Sequence, residues 1–110
     1  MPKAESPFVG NWHIVSMTEW DEDYLNEEVQ AFVDFDALGD GEFQFGPVSG
    51  GIDYRVSRRD GKPTIEFSCE GNDGTENRSG RGWAVAEGDE LQGMMFIHCG
   101  DDSGFVARRA

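Results

Sequence analysis

The sequence predicts an all-β fold: an eight-stranded antiparallel up-and-down meander barrel with one short helix or turn between strands one and two. Two observations carry most of this prediction. Apolar and polar residues alternate in short segments separated by glycine-containing turn signals. Gly10 and Trp12 open the first segment, and Arg108 and Arg109 end the last. An aromatic-cation contact between those two strands would close the barrel.

Length and composition predict one folded domain. The chain has 110 residues, enough for a single core. Eight Phe, three Trp and two Tyr supply the large apolar side chains that a disordered chain lacks. We expect residues 1–7 to form a flexible N-terminal arm and residues 8–110 to form a single β-barrel domain.

The charge of the chain narrows the classes of partner. Twenty-two acidic residues face nine basic ones, for a net charge of −13. This balance opposes binding to nucleic acid or to an anionic membrane surface. It fits a solvated acidic surface, and it also fits a face that docks a basic protein.

The N-terminus and the cysteines indicate a cytoplasmic location. Residues 1–7 contain no apolar run of the kind found in a signal peptide or a membrane span. Cys69 and Cys99 are too few for a disulfide framework, so we expect both to be reduced.

Strand one covers Gly10 to Met17, with Trp12, Ile14 and Ser16 on one face. The period then changes over residues 18–28, where Trp20 lies four residues before Tyr24. A short helix or turn fits this stretch.

From residue 29 onward the period is two. Tight turns are expected at 39–41, 60–61, 87–89 and 100–102, and a polar loop at 71–77. Large residues on the alternating positions form the predicted interior: Trp12, Ile14, Val33, Phe35, Phe43, Phe45, Ile52, Tyr54, Val56, Ile65, Phe67, Trp83, Val85, Met95, Ile97 and Phe105. We expect these side chains to fill most of the barrel, because an eight-stranded barrel holds at most one small ligand.

The segment from Phe8 to Trp12, followed by strand one and the acidic stretch around Trp20 and Tyr24, resembles the opening of the calycins, the superfamily of lipocalins and fatty-acid-binding proteins. The resemblance implies a barrel in which Trp12 closes one end under an arginine of the last strand, either Arg108 or Arg109. The whole chain also resembles a group of small bacterial proteins of uncharacterised function, with which it shares stretches such as 70–73 and 79–85.

Two sets of site residues follow. Gly10, Trp12, Arg108 and Arg109 are the predicted barrel-closure residues. Arg81 has the same parity as Trp83 along its strand, so it is either a candidate inward cation that binds a ligand carboxylate or a strand-end arginine that faces solvent. The candidate ligand-binding residues at the barrel mouth are Tyr54, Phe67, Arg81, Trp83 and Met95.

Motifs for metal binding and catalysis are not found in the sequence. His13 and His98 belong to no metal-ligand spacing, so we expect no metal and no cofactor. The sequence contains no nucleophile elbow, phosphate loop or triad order, and we assign no catalytic residue.

Three functions remain open at this stage. The first is a non-catalytic barrel that binds a small apolar or amphipathic molecule at its mouth. The second is a filled barrel that acts as an acidic protein-interaction module or forms a homo-oligomer. The third is an enzyme that uses Arg81, His98 or the acidic residues in a mouth pocket.

Overall fold

The structure is a computed structural model and describes residues 8–98, 100 and 102–110. Eight strands and one helix follow each other along the chain. They are β1 (Gly10–Met17), α1 (Glu22–Leu25), β2 (Phe32–Phe35), β3 (Asp40–Phe45), β4 (Val48–Arg59), β5 (Lys62–Asp73), β6 (Glu76–Glu87), β7 (Glu90–Ile97) and β8 (Asp102–Arg109). The predicted arm at 1–7 lies outside the described residues.

Each strand pairs antiparallel with the next one, and β8 returns to pair with β1. Trp12 of β1 is therefore flanked by Val33 of β2 on one side and by Arg109 of β8 on the other. The strand order confirms the predicted eight-stranded meander barrel and the short helix between its first two strands.

The interior is built from one face of every strand. The largest fully buried apolar side chains on the strands are Trp12, Phe35, Phe45, Ile65 and Leu91. Phe43, Phe67, Met95 and Phe105 are each at most 7% exposed and join the same cluster. Alternation in the sequence produces this core because successive side chains of a strand point to opposite faces of the sheet.

Strand β1 departs from its predicted alternation. The pairing between β1 and β8 shifts between Ile14 and Ser16, so one extra residue is accommodated there. Such a bulge reverses the side-chain parity beyond it. Met17 is buried and Ser16 is exposed, so the expectation that Ser16 faces inward with Trp12 is wrong.

Strand β6 also departs from prediction, because its small residues face the interior. Gly82 and Ala84 are buried, and a Cβ added to Gly82 would lie 2.6 Å from the ring of Phe67. Trp83 and Val85 consequently face outward and are only partly buried. Their assignment to the interior is therefore wrong. Arg81, on the same side of β6, is exposed to solvent, which is the second of its two expected placements.

The hairpin of β4 and β5 extends beyond the neighbouring strand β3. The last pair between β3 and β4 joins Asp40 to Asp53, whereas β4 continues to Arg59. Val56 lies in this extension and is 51% exposed, so its assignment to the core is wrong. The hairpin turns at Asp60 and Gly61, both with positive φ, as the tight-turn signal predicts.

The polar stretch at 71–77 forms two strand ends rather than a loop. β5 continues to Asp73 and β6 starts at Glu76, with these two residues paired. Gly74, at φ +63°, makes the tight turn that this pairing requires.

Candidate binding site on the outer barrel wall

One end of the barrel is closed by Phe8, Trp12 and Arg109. Phe8 and Trp12 are fully buried, and the indole N–H of Trp12 donates to the carbonyl of Phe8 at 2.9 Å. The guanidinium carbon of Arg109 lies 4.1 Å from the centre of the Trp12 ring. Gly10 has φ +124°, and a Cβ there would lie 2.7 Å from Arg109, so the site requires glycine.

Arg108 has a different role from its neighbour. Its side chain points to the barrel surface, where its Nε lies 3.4 Å from a carboxylate oxygen of Glu90. Of the two terminal arginines, Arg109 is therefore the one that covers Trp12.

Helix α1 and the residue before it cover the other end. Asp21 caps the helix by accepting a hydrogen bond from the backbone N–H of Tyr24 at 2.9 Å. Leu25 enters the core completely, and Trp20 packs on Phe45 with ring centres 5.2 Å apart. Both barrel ends are thus covered by side chains.

The space found among the inward-facing side chains is small. A gap of about 10 Å³ lies among inward-facing residues that include Phe43, Val48, Cys69 and Met95. A single water molecule needs at least about this much volume. Buried apolar side chains from all eight strands occupy the space around it.

The five candidate ligand-binding residues do not meet in one pocket. Tyr54, Phe67 and Met95 belong to the buried core. Arg81 and Trp83 lie two residues apart on the outer face of β6, each in a different groove. Large concave spaces therefore occur on the outer wall of the barrel.

The Trp83 groove is the more apolar of the two. It has a volume of about 830 Å³, in the range typical of small-molecule sites. Trp83 lies directly opposite Met94 of β7, which pairs in turn with Gly104 of β8. The apolar walls of the groove are the outward-facing side chains of Trp83, Val85, Met94 and Val106. Glycine at 104 leaves room beside Met94 that a larger residue would occupy.

Two cations flank the Trp83 groove. The guanidinium carbon of Arg59 lies 4.9 Å from the centre of the Trp83 ring, within cation-π distance. Lys62 is hydrogen bonded to Glu87, and this contact raises the pKa of Lys62 and lowers that of Glu87. The charge of Glu87 is thereby paired with that of Lys62. The contact described for the Arg59 guanidinium is with the Trp83 ring.

The Arg81 groove is larger and more acidic. Its volume is about 1150 Å³, and three carboxylate side chains line it: Asp40, Asp53 and Glu70. Arg81 stands between Ser68 of β5 and Phe96 of β7 in the register. None of the residues that the structure describes forms an ion pair with Arg81. Its surroundings nevertheless oppose an anionic ligand because of the carboxylates.

One buried thiol stands out among the titratable groups of the described residues. Burial raises the pKa of Cys69 to about 11, so its thiol is protonated and a poor nucleophile near neutral pH. Within residues 8–98, 100 and 102–110, no group of three His, Cys, Asp or Glu side chains is arranged to hold a metal ion. Cys99 lies outside the described residues.

No helix in the described part of the chain is long and apolar enough to cross a membrane.

Sequence reasoning missed Arg59, Met94 and Val106 as groove residues. It placed Trp83 inside because large aromatic residues generally favour the core. The alternating small residues Gly80, Gly82 and Ala84 indicate that this side of β6 faces the interior, where Phe67 leaves little space. The opposite side, with Trp83, then lies on the outer wall.

The fold defines a class, the closed eight-stranded antiparallel barrel, and this architecture is compatible with that of the calycins. Comparison with protein-family models, with curated proteins and with solved structures gives no match.

Proposed function

We propose that this protein binds a small amphipathic anion in the Trp83 groove. The observation that carries the proposal is the pairing of a partly exposed apolar wall with a guanidinium. The filled interior favours the outer wall over the barrel mouth as the ligand site, since both ends are covered by buried residues.

The groove offers complementary surfaces to the two parts of such a ligand. Trp83, Met94 and Val106 provide apolar area for a hydrocarbon chain or ring. Arg59 presents its charge at one edge of the same surface, in position to bind a carboxylate or sulfonate. Apolar ligand surface would be removed from water at about 25 cal/mol per Å².

The choice between the two grooves depends on charge. An anion in the Arg81 groove would face Asp40, Asp53 and Glu70. In the Trp83 groove the acidic lining residues are Asp60 and Glu87, and Glu87 is already paired with Lys62. The net electrostatic penalty for an anion is smaller there.

Isothermal titration with dodecanoate, below its micelle concentration, tests the proposal. Trp83→Ala should abolish measurable binding, and Arg59→Gln should weaken it at least about tenfold because a charged hydrogen bond is worth about 1.5–3 kcal/mol. Arg81→Gln is the matched control, a cation on the same face of β6, and should leave the affinity unchanged. Loss of binding in Arg81→Gln with no effect of Arg59→Gln would place the anion in the other groove and refute the assignment.

The alternative function, an acidic interaction module, has its own supporting observation. Residues 4–54 contain twelve acidic side chains and no Lys or Arg. A surface of this composition attracts basic proteins over long distances at low salt. If the protein acts this way, a basic partner will be captured at low ionic strength and released as salt is raised, with dodecanoate having no effect.

A further inference from the structure

Among the residues that the structure describes, the hairpin of β4 and β5 leaves one strand edge without a neighbour. β4 pairs with β5 along its full extension to Arg59, but its pairing with β3 ends at Asp53. One more contact follows, in which the N–H of Tyr54 donates to the carbonyl of Gly39 at 2.9 Å. Beyond it, no strand in the described part of the chain lies beside residues 55–59 on that side.

The direction of the Tyr54 bond identifies the free backbone groups. Residues of an antiparallel strand direct their N–H and C=O groups alternately to its two neighbours. Because Tyr54 donates toward the β3 side, Val56 and Arg58 direct theirs to the same open side. Opposite Arg58 on the β5 side stands Pro63, which has no N–H to offer.

We propose that this edge of β4, residues 55–59, binds an extended acidic segment of another protein by β-strand addition. The edge supplies main-chain hydrogen bonds, and the side chains beside it supply selectivity. Val56, which is 51% exposed, offers apolar contact on one face of the added strand. Arg55 and Arg59 lie on the other face.

The basic residues of the hairpin indicate which kind of strand binds at this edge. Four of the nine basic residues of the chain fall within eight positions of this hairpin: Arg55, Arg58, Arg59 and Lys62. Asp60 is the one acidic residue among these eight positions, and Lys62 is paired with Glu87, so the basic region consists of the three arginines on a chain whose net charge is −13. An acidic strand is complementary to that region, and the rest of the protein repels it.

The same charges disfavour a second copy of this edge. If two β4 edges paired antiparallel about Ser57, Arg55 of each copy would lie opposite Arg59 of the other. Like charges directly opposite each other destabilise a strand pair, and cationic edges are a common means of preventing self-pairing. A separate acidic strand avoids this repulsion.

The test uses a synthetic peptide of alternating Glu and Val as the probe. Amide hydrogen exchange by NMR on the intact protein should show that saturating probe slows exchange at Val56 and Arg58 by about tenfold or more. Ser57 and Arg59 should change little because their N–H groups already point to β5. The probe should bind less tightly as salt is raised.

Two controls separate strand addition from simple charge attraction. A probe with proline in place of its central valine keeps the charge but cannot continue the ladder, and should bind at least about tenfold more weakly. Val56→Pro should likewise lose binding by about tenfold or more, whereas Val56→Ala, which keeps the N–H, should retain most of it. The exchange pattern of the unmodified protein remains decisive if Val56→Pro fails to fold.

Three results would overturn the proposal. The first is unchanged exchange at Val56 and Arg58 with saturating probe, and the second is equal binding of the proline-containing peptide. The third is protection of the same two amides in the protein alone, together with dimer formation in sedimentation, which would assign the edge to a second copy.

Discussion

Replacing Trp12 by alanine should destabilise the barrel by about 4–5 kcal/mol. Trp12 is fully buried, and truncating a buried aromatic residue to alanine costs about 3–5 kcal/mol. The change also removes its hydrogen bond to the carbonyl of Phe8 and the ring beneath Arg109, each worth about 1 kcal/mol. These terms overlap, so their sum is an upper bound. Against a typical total stability of about 5–15 kcal/mol, the variant is close to unfolding.

Urea unfolding followed by far-ultraviolet circular dichroism measures this loss. Trp12→Phe retains most of the ring volume but loses the N–H, and should cost about 1–2 kcal/mol. Arg109→Gln removes the cation, and a double-mutant cycle with Trp12→Leu, which removes the aromatic ring, should give a coupling energy of about 0.5–2 kcal/mol.

Arg108→Gln is the control for the neighbouring position. Its pair with Glu90 is exposed, so the loss should stay below about 1 kcal/mol. A cost below about 1 kcal/mol for Trp12→Ala, or an Arg108 effect larger than that of Arg109, would show that this contact does not close the barrel.

Two further predictions concern the interior. Gly82→Val should cost about 2 kcal/mol or more in urea unfolding, because its Cβ would strike the ring of Phe67, and a neutral result would mean that β6 faces the other way. In a Cys99→Ser background, burial of Cys69 raises its pKa from 9.0 to about 11, so the unfolded state ionises first as the pH rises. The free energy of unfolding should fall between pH 9 and 11 less steeply after Cys69→Ala, and equal slopes would show that this thiol is not buried.

The number and order of the strands could be predicted because the pattern is local. Alternating segments such as Ile52 to Val56, and turn signals such as Asp60-Gly61, depend on neighbouring residues only. The end-to-end contact of Trp12 with the last strand was suggested by the resemblance of its Gly-x-Trp motif to that of a known superfamily.

The sequence could not predict which side chains of β6 point into the barrel, because this depends on packing against residues distant in sequence. Both parities of this strand are apolar, with Trp83 on one and Ala84 on the other. Phe67 occupies the interior space beside Gly82, so the side with Trp83 does not fit inward. This packing places Trp83 on the outer wall, where it lines the candidate site.

The bulge in β1 and the overhang of β4 were missed for a related reason. A one-residue insertion between Ile14 and Ser16 changes the register only in the presence of β8. The exposure of Val56 likewise depends on where β3 ends. The alternation within β1 or β4 does not show where the neighbouring strand, β8 or β3, pairs or ends.

The indole N–H resonances of the three tryptophans provide the most direct test of a filled barrel that binds on its wall. Adding dodecanoate should shift the resonance of Trp83 and leave that of Trp12, which is fully buried and bonded to Phe8, in place. A shift at Trp12 with none at Trp83 would mean that the ligand enters the interior, in contradiction to this account.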